Sequence, residues 1–87
     1  MSNEMSNELK LNDENVEIIE VVGEILKSRT QSVKVIVLKK DNEKFVSIQK
    51  WWRKSSEEPW LEGKGFHLNL KETVDVQNFL AKALELT

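Results

Sequence analysis

The chain has 87 residues, 39% of them hydrophobic, which is enough apolar material for one packed layer but not for two separate cores. It contains no Cys, which excludes disulfides, Cys-based zinc sites and thiol catalysis, and no apolar run approaches the roughly 18 residues a bilayer-spanning helix needs. The net charge of −2 hides a segregation: Met1–Leu26 carries −6, Lys27–Lys54 carries +7 and Ser55–Thr87 carries −3. A local excess of that size is the asymmetry expected of a polyanion-binding surface. The N-terminus has neither a basic start nor an apolar stretch, so no signal peptide is expected. The expected location is the cytoplasm or nucleoid, or the nucleus in a eukaryotic source.

Residues 1–15 are polar and acidic, with MSNE twice in tandem, and read as a disordered tail. The domain proper is expected over 16–87. VEIIEVVGEIL is rich in Val and Ile and predicts a first strand, with Gly23 marking a bulge or bend. After the polar SRTQS, VKVIVLKK predicts a second strand with Val33, Val35 and Val37 on one face and Lys34, Ile36, Leu38 and Lys40 on the other. Asp41-Asn42-Glu43 forms a turn, because Asn tolerates positive φ. KFVSIQKWW returns as a third strand to make a hairpin. Arg53–Gly63 holds the sole Pro and reads as a long loop, and GKGFHLNL as a short fourth strand. Asn69 and Glu72 have capping-box spacing ahead of a helix whose apolar stripe is Val76, Phe79, Leu80, Ala83 and Leu84. The order predicts an α+β domain, a four-stranded antiparallel sheet followed by a C-terminal helix on one face. The opposite face is then open to water or a ligand.

Single-stranded nucleic acid suits such a face, since its backbone asks for cations and its unpaired bases for flat rings. The hairpin supplies Lys34, Lys39, Lys40, Lys44 and Lys50, then Trp51, Trp52, Arg53 and Lys54. Alternation puts Phe45, Ser47, Gln49 and Trp51 on one side and Lys44, Val46, Ile48, Lys50 and Trp52 on the other. A Trp in a chain this short is ordinarily core, and Lys on strand edges also prevents aggregation. Adjacent Trp residues on a strand point to opposite faces, however, so at least one leaves the core.

KFVSIQKWW, followed twelve residues after Trp52 by KGFHLNL, resembles the positive-cofactor-four family of transcriptional coactivators over about Val16 to Leu84. The shared pieces are Ile48, Trp51, Trp52, Lys64, Gly65, Phe66 and Leu68, in ungapped spacing. The resemblance implies a curved four-stranded sheet and a homodimer joined through its helices at Val76, Phe79, Leu80, Ala83 and Leu84. It also implies binding of single-stranded or unwound DNA with little sequence preference. Trp52 falls on the family's stacking Trp and Lys64 on the basic residue before its Gly. Departures are Gln49 where the family commonly has Arg, Lys40 where it has a turn aromatic, Ser47 for Asp and Asn42 for Gly. Trp60 stands near an expected Lys, and Trp51 or Trp60 is available to compensate. The long Ser- and Lys-rich tail of eukaryotic members is absent, which suggests a minimal bacterial or phage member acting in transcription, replication, recombination or repair.

The expected DNA contacts are thus Lys34, Lys39, Lys40, Lys44, Gln49, Lys50, Trp51, Trp52, Arg53, Trp60 and Lys64. No enzyme, cofactor, metal, small-molecule substrate or membrane role is expected: His67 alternates between Phe66 and Leu68 as a solvent- or DNA-facing structural residue, Glu57-Glu58 lack companions at metal-ligand spacing, and Gly63-x-Gly65 is not a phosphate loop. The alternatives are an RNA-binding protein, or an interaction module whose exposed Trp residues and helix bind a replication or transcription protein. An acidic tail competing with DNA for the basic ribbon is a further expectation from its opposite charge.

Overall fold

A computed structural model describes residues 8–87. In chain order it comprises β1 (Leu9–Lys10), β2 (Glu17–Ser28), β3 (Gln31–Lys40), β4 (Glu43–Trp52), β5 (Trp60–Leu68) and α1 (Leu70–Glu85). Strands β2 to β5 form an antiparallel meander, and β1 adds to the far edge in the order β1-β5-β4-β3-β2. The α+β class expected from the sequence is present. The four-stranded, all-antiparallel sheet is corrected to a curled, mixed sheet of five strands, because β1 runs parallel to β5 with Leu9 opposite Trp60.

That fifth strand comes from the segment expected to be tail. Trp60 N donates to Glu8 O at 2.8 Å, Leu9 and Leu11 pack on the core, and Asn12 N donates to Glu62 Oε1 at 2.8 Å, which together help hold an otherwise polar stretch. Residues 8–15 therefore belong to the fold, while the remainder of the expected tail, 1–7, lies outside the described residues. The expected loop also shortens, since the buried Trp60 begins β5 directly after Pro59.

Local chemistry explains the other boundaries. Asp41 (φ 54°) and Asn42 (φ 68°) both adopt the left-handed conformation, giving the two-residue turn whose twist suits a hairpin. The β3–β4 register then runs without interruption from Lys40 opposite Glu43 to Gln31 opposite Trp52. By contrast, β2 shifts register at Ile18/Glu20, at Val21/Gly23 as the glycine predicts, and again at Leu26/Ser28. Each shift adds twist and curls the sheet. Asn69 closes a capping box with Glu72, its Oδ1 accepting from Glu72 N at 2.8 Å. The helix therefore begins at Leu70, which sequence alternation had assigned to the strand.

The two faces of the sheet differ. The inner face buries Ile36, Leu38, Trp51 and Trp60, joined by Leu9, Leu11, Val16, Ile18 and Phe45. On the outer face Val33, Val35, Val37, Val46 and Ile48 are only half-buried. Helix α1 lies over part of that face and buries no residue fully, leaving an open apolar groove along Val35, Val46, Ile48, Leu68, Val76, Leu80 and Leu84. Gly65 is fixed by close approach: a Cβ there would lie 1.9 Å from Gln49 Cβ, so β4 and β5 could not pair.

Candidate nucleic-acid interface

The end of the outer face away from the β3–β4 turn carries a cleft of about 370 Å³. Four strands build it: Lys27 from β2, Gln31 and Val33 from β3, Lys50 and Trp52 from β4, and Gly63 and Lys64 from β5. Trp52 is 45% exposed, although Trp is a residue that chains of this size normally bury. Among the described residues no carboxylate lines the cleft, and Lys27, Lys50 and Lys64 make no ion pair. In a chain of net charge −2 this is a concentrated positive site around an aromatic ring. Two register shifts assemble it. The shift at Leu26/Ser28 brackets Lys27, and the shift between Gln49 and Trp51 brackets Lys50.

Trp51 also lines the cleft while its side chain is buried, and the remaining expected contacts lie elsewhere; the reason is strand alternation on a sheet with one dry face. Trp51 and Trp60 are core residues. Lys34 is buried, pairs with Glu24 and stands 4.3 Å from the centre of the Trp60 ring. Arg53 is also buried, stacks 4.0 Å from the same ring centre and donates from Nε to Arg29 O at 2.7 Å. Gln49 is buried and saturated. Its Oε1 accepts from Ser47 Oγ and from His67 Nε2 (3.1 Å), and its Nε2 donates to Glu62 Oε2 and Gly63 O, each at 3.1 Å. These five residues, expected to touch DNA, instead hold the inner face together. His67, which must carry its proton on Nε2 to donate to Gln49, also packs against the Phe45 ring at 5.3 Å, in keeping with a structural role.

Lys40 bonds Asp13 at 2.8 Å, an ion pair with both side chains part-exposed. That hydrogen bond is the main cause holding the Asp13 carboxyl below the usual carboxylate range and Lys40 above the usual amine range. Lys39 and Lys44 face each other in register on the outer face. Eight residues of strand separate Lys44 from Trp52, about 26 Å at the usual rise. They form a second basic end rather than part of the cleft.

Of the expected contacts, then, the structure brings together Lys50, Trp52 and Lys64, and Trp51 also lines the cleft although its side chain is buried in the core. Lys27 was missed. Its signal was present as the first residue of the +7 segment, but alternation through VVGEILK cannot be counted correctly across two bulges. Among the described residues no three His, Cys, Asp or Glu side chains converge as a metal site, and no helix is long and apolar enough to cross a membrane. No protein-family model, curated protein or solved structure matches the chain, so the site is read from its own residues.

Proposed function

We propose that this protein binds single-stranded or unwound DNA, with little sequence preference, by stacking bases on Trp52 while Lys27, Lys50 and Lys64 neutralise flanking phosphates. The observation that carries the reading is the exposed Trp52 in a cleft lined by those three lysines and, among the described residues, no acid. A ring stacks on any base and an ammonium donates to any phosphate, so these contacts carry little sequence information. The resemblance to the positive-cofactor-four family supports the same residues, Trp52 and Lys64. The departure at Gln49 costs the cleft nothing, because that side chain is engaged on the other face. The role is as a binding protein in transcription, replication, recombination or repair, without catalysis or cofactor.

The working form is a homodimer. Phe66, Phe79 and Leu84 are 70%, 69% and 75% exposed, and the groove beside α1 is open among the described residues. A second copy docked about a two-fold axis would bury Val76, Phe79, Leu80, Ala83 and Leu84 of each chain and place two clefts on one assembly. Sedimentation at micromolar concentration should give about twice the 10.1 kDa chain mass, and a monomer would remove the dimer from the proposal. That same apolar surface is what favours the second reading, an adaptor for a replication or transcription protein.

Tryptophan fluorescence tests the DNA reading well, because two of the three Trp residues are buried and quenching reports chiefly on Trp52. Titration with oligo-dT should quench emission. The plot of log affinity against log salt should have a slope of about −2 or steeper, from about −0.7 per neutralised phosphate. Absence of quenching at low salt would end the DNA reading and leave the adaptor. Equal competition by oligo-rU would extend the proposal to RNA.

A further inference from the structure

We infer that the strand path continues past Trp52 into a second phosphate-binding cluster, formed by Arg29 and Lys54 with the hydroxyls of Thr30, Ser55 and Ser56. The inference rests on the Trp52 reading and names the next contact of the same single strand. These residues line a separate depression of about 390 Å³ at the end of the sheet. Arg29 and Lys54 make no ion pair among the described residues. The chain itself joins the two sites. Lys27 and Trp52 line the first, and two residues further along the same two segments, Arg29 and Lys54 line the second. Two residues span at most about 7 Å, so one short stretch of nucleotides can touch both.

The cluster is held in place rather than carried on loose loops. Arg53 N donates to Thr30 O at 3.1 Å and Arg53 Nε to Arg29 O at 2.7 Å, which tie the two connections together. Arg53 is itself pinned on Trp60. Thr30 N donates to Ser28 Oγ at 3.2 Å, and Glu57 N and Glu58 N donate to Ser55 Oγ and Ser55 O at 3.4 and 3.2 Å. Arg53 is thus a positioning residue: it sets where Arg29 and Lys54 emerge, and its own charge faces the Trp60 ring. A guanidinium, an ammonium and neutral hydroxyl donors are the groups that recognise a phosphodiester irrespective of base. Glu57 is the one carboxylate of the lining and opposes them.

The test is a salt series on oligo-dT binding with the full chain, comparing wild type with the double variant Arg29→Ala/Lys54→Ala. Both changes truncate exposed side chains and leave the Arg29 carbonyl in place, so the fold is preserved. The double variant should keep the full Trp quench at saturation while its log–log salt slope becomes shallower by about 1.4, two phosphates' worth. Between 50 and 200 mM salt the wild type should then lose about sevenfold more affinity than the variant. In the wild-type background Glu57→Gln should tighten binding. Quenching intact with slope and affinity unchanged in both variants would overturn the second cluster and leave the Trp52 site standing. Failure of the wild type to quench would remove the site on which the inference rests.

Discussion

The inner and outer faces of this sheet each present a tryptophan beside cations, yet they are opposites. On the inner face Trp60 is covered, Lys34 and Arg53 stack on its ring, Lys34 has Glu24 as partner and Arg53 has the Arg29 carbonyl. On the outer face Trp52 is half-exposed, and Lys27, Lys50 and Lys64 have no ion-pair partner among the described residues. The same residue types build a structural knot in one place and an open cleft in the other. Aromatic and basic composition therefore does not mark a ligand site by itself. The mark is a ring and charges whose needs the fold leaves unmet.

The largest expected effect lies on the inner face. Trp60→Ala should destabilise the protein by about 3–5 kcal/mol, the range for removing a buried large aromatic, and it also strips Lys34 and Arg53 of their shared ring. Urea denaturation reads this directly. A loss below about 1 kcal/mol would place Trp60 outside the core and blur the distinction between the faces.

Smaller and of opposite sign is the effect of Ser32→Ala. Among the described residues, Ser32 Oγ and, across the β3–β4 pair, Trp51 Nε1 are buried without a hydrogen-bond partner. Removing a hydroxyl that bonds nothing should leave stability unchanged or raise it by up to about 1 kcal/mol. A clear loss would show that the hydroxyl is satisfied.

The smallest effect belongs to the segment that covers the inner face. Asp13 has a lowered pKa because Lys40 donates to it. Its contribution is therefore present above the ordinary carboxylate value of 3.8 and is lost as pH falls through the depressed one. Lys40 works the other way: its raised value means the contribution is complete below the ordinary 10.5 and disappears as pH rises through the raised value. The protection factor of the Val16 amide, which donates to Asp13 O, should fall at both extremes and hold between them, and Asp13→Asn should abolish the acid limb.

How much of this was legible in the sequence depends on which physical rule was in charge. Period-two alternation sorted β3 and β4 into the right two faces, Trp51 sharing one with Gln49 and Trp52 the other with Lys50, and the capping box and the Asp41-Asn42 turn followed from side-chain chemistry alone. What alternation cannot say is which face will be dry. Lys34 and Arg53 read as ligands because charge is expected outside, and Gln49 because it stands where the family commonly has Arg; here all three are inside with partners brought from Glu24, Glu62, Gly63 and Arg29. Those partners are 10, 13, 14 and 24 residues away, and no local pattern announces them. Strand β1 escaped for a similar reason. Leu9 and Leu11 look isolated until β5 and the core are present to receive them.

The central claim is that Trp52 serves a ligand and not the fold. Trp52→Ala, measured for both oligo-dT affinity and urea stability, separates the two. The account predicts a loss of about 1–3 kcal/mol in binding, roughly five- to 150-fold, with stability unchanged within about 0.5 kcal/mol. Unchanged affinity, or a stability loss as large as that of Trp60→Ala, would contradict it.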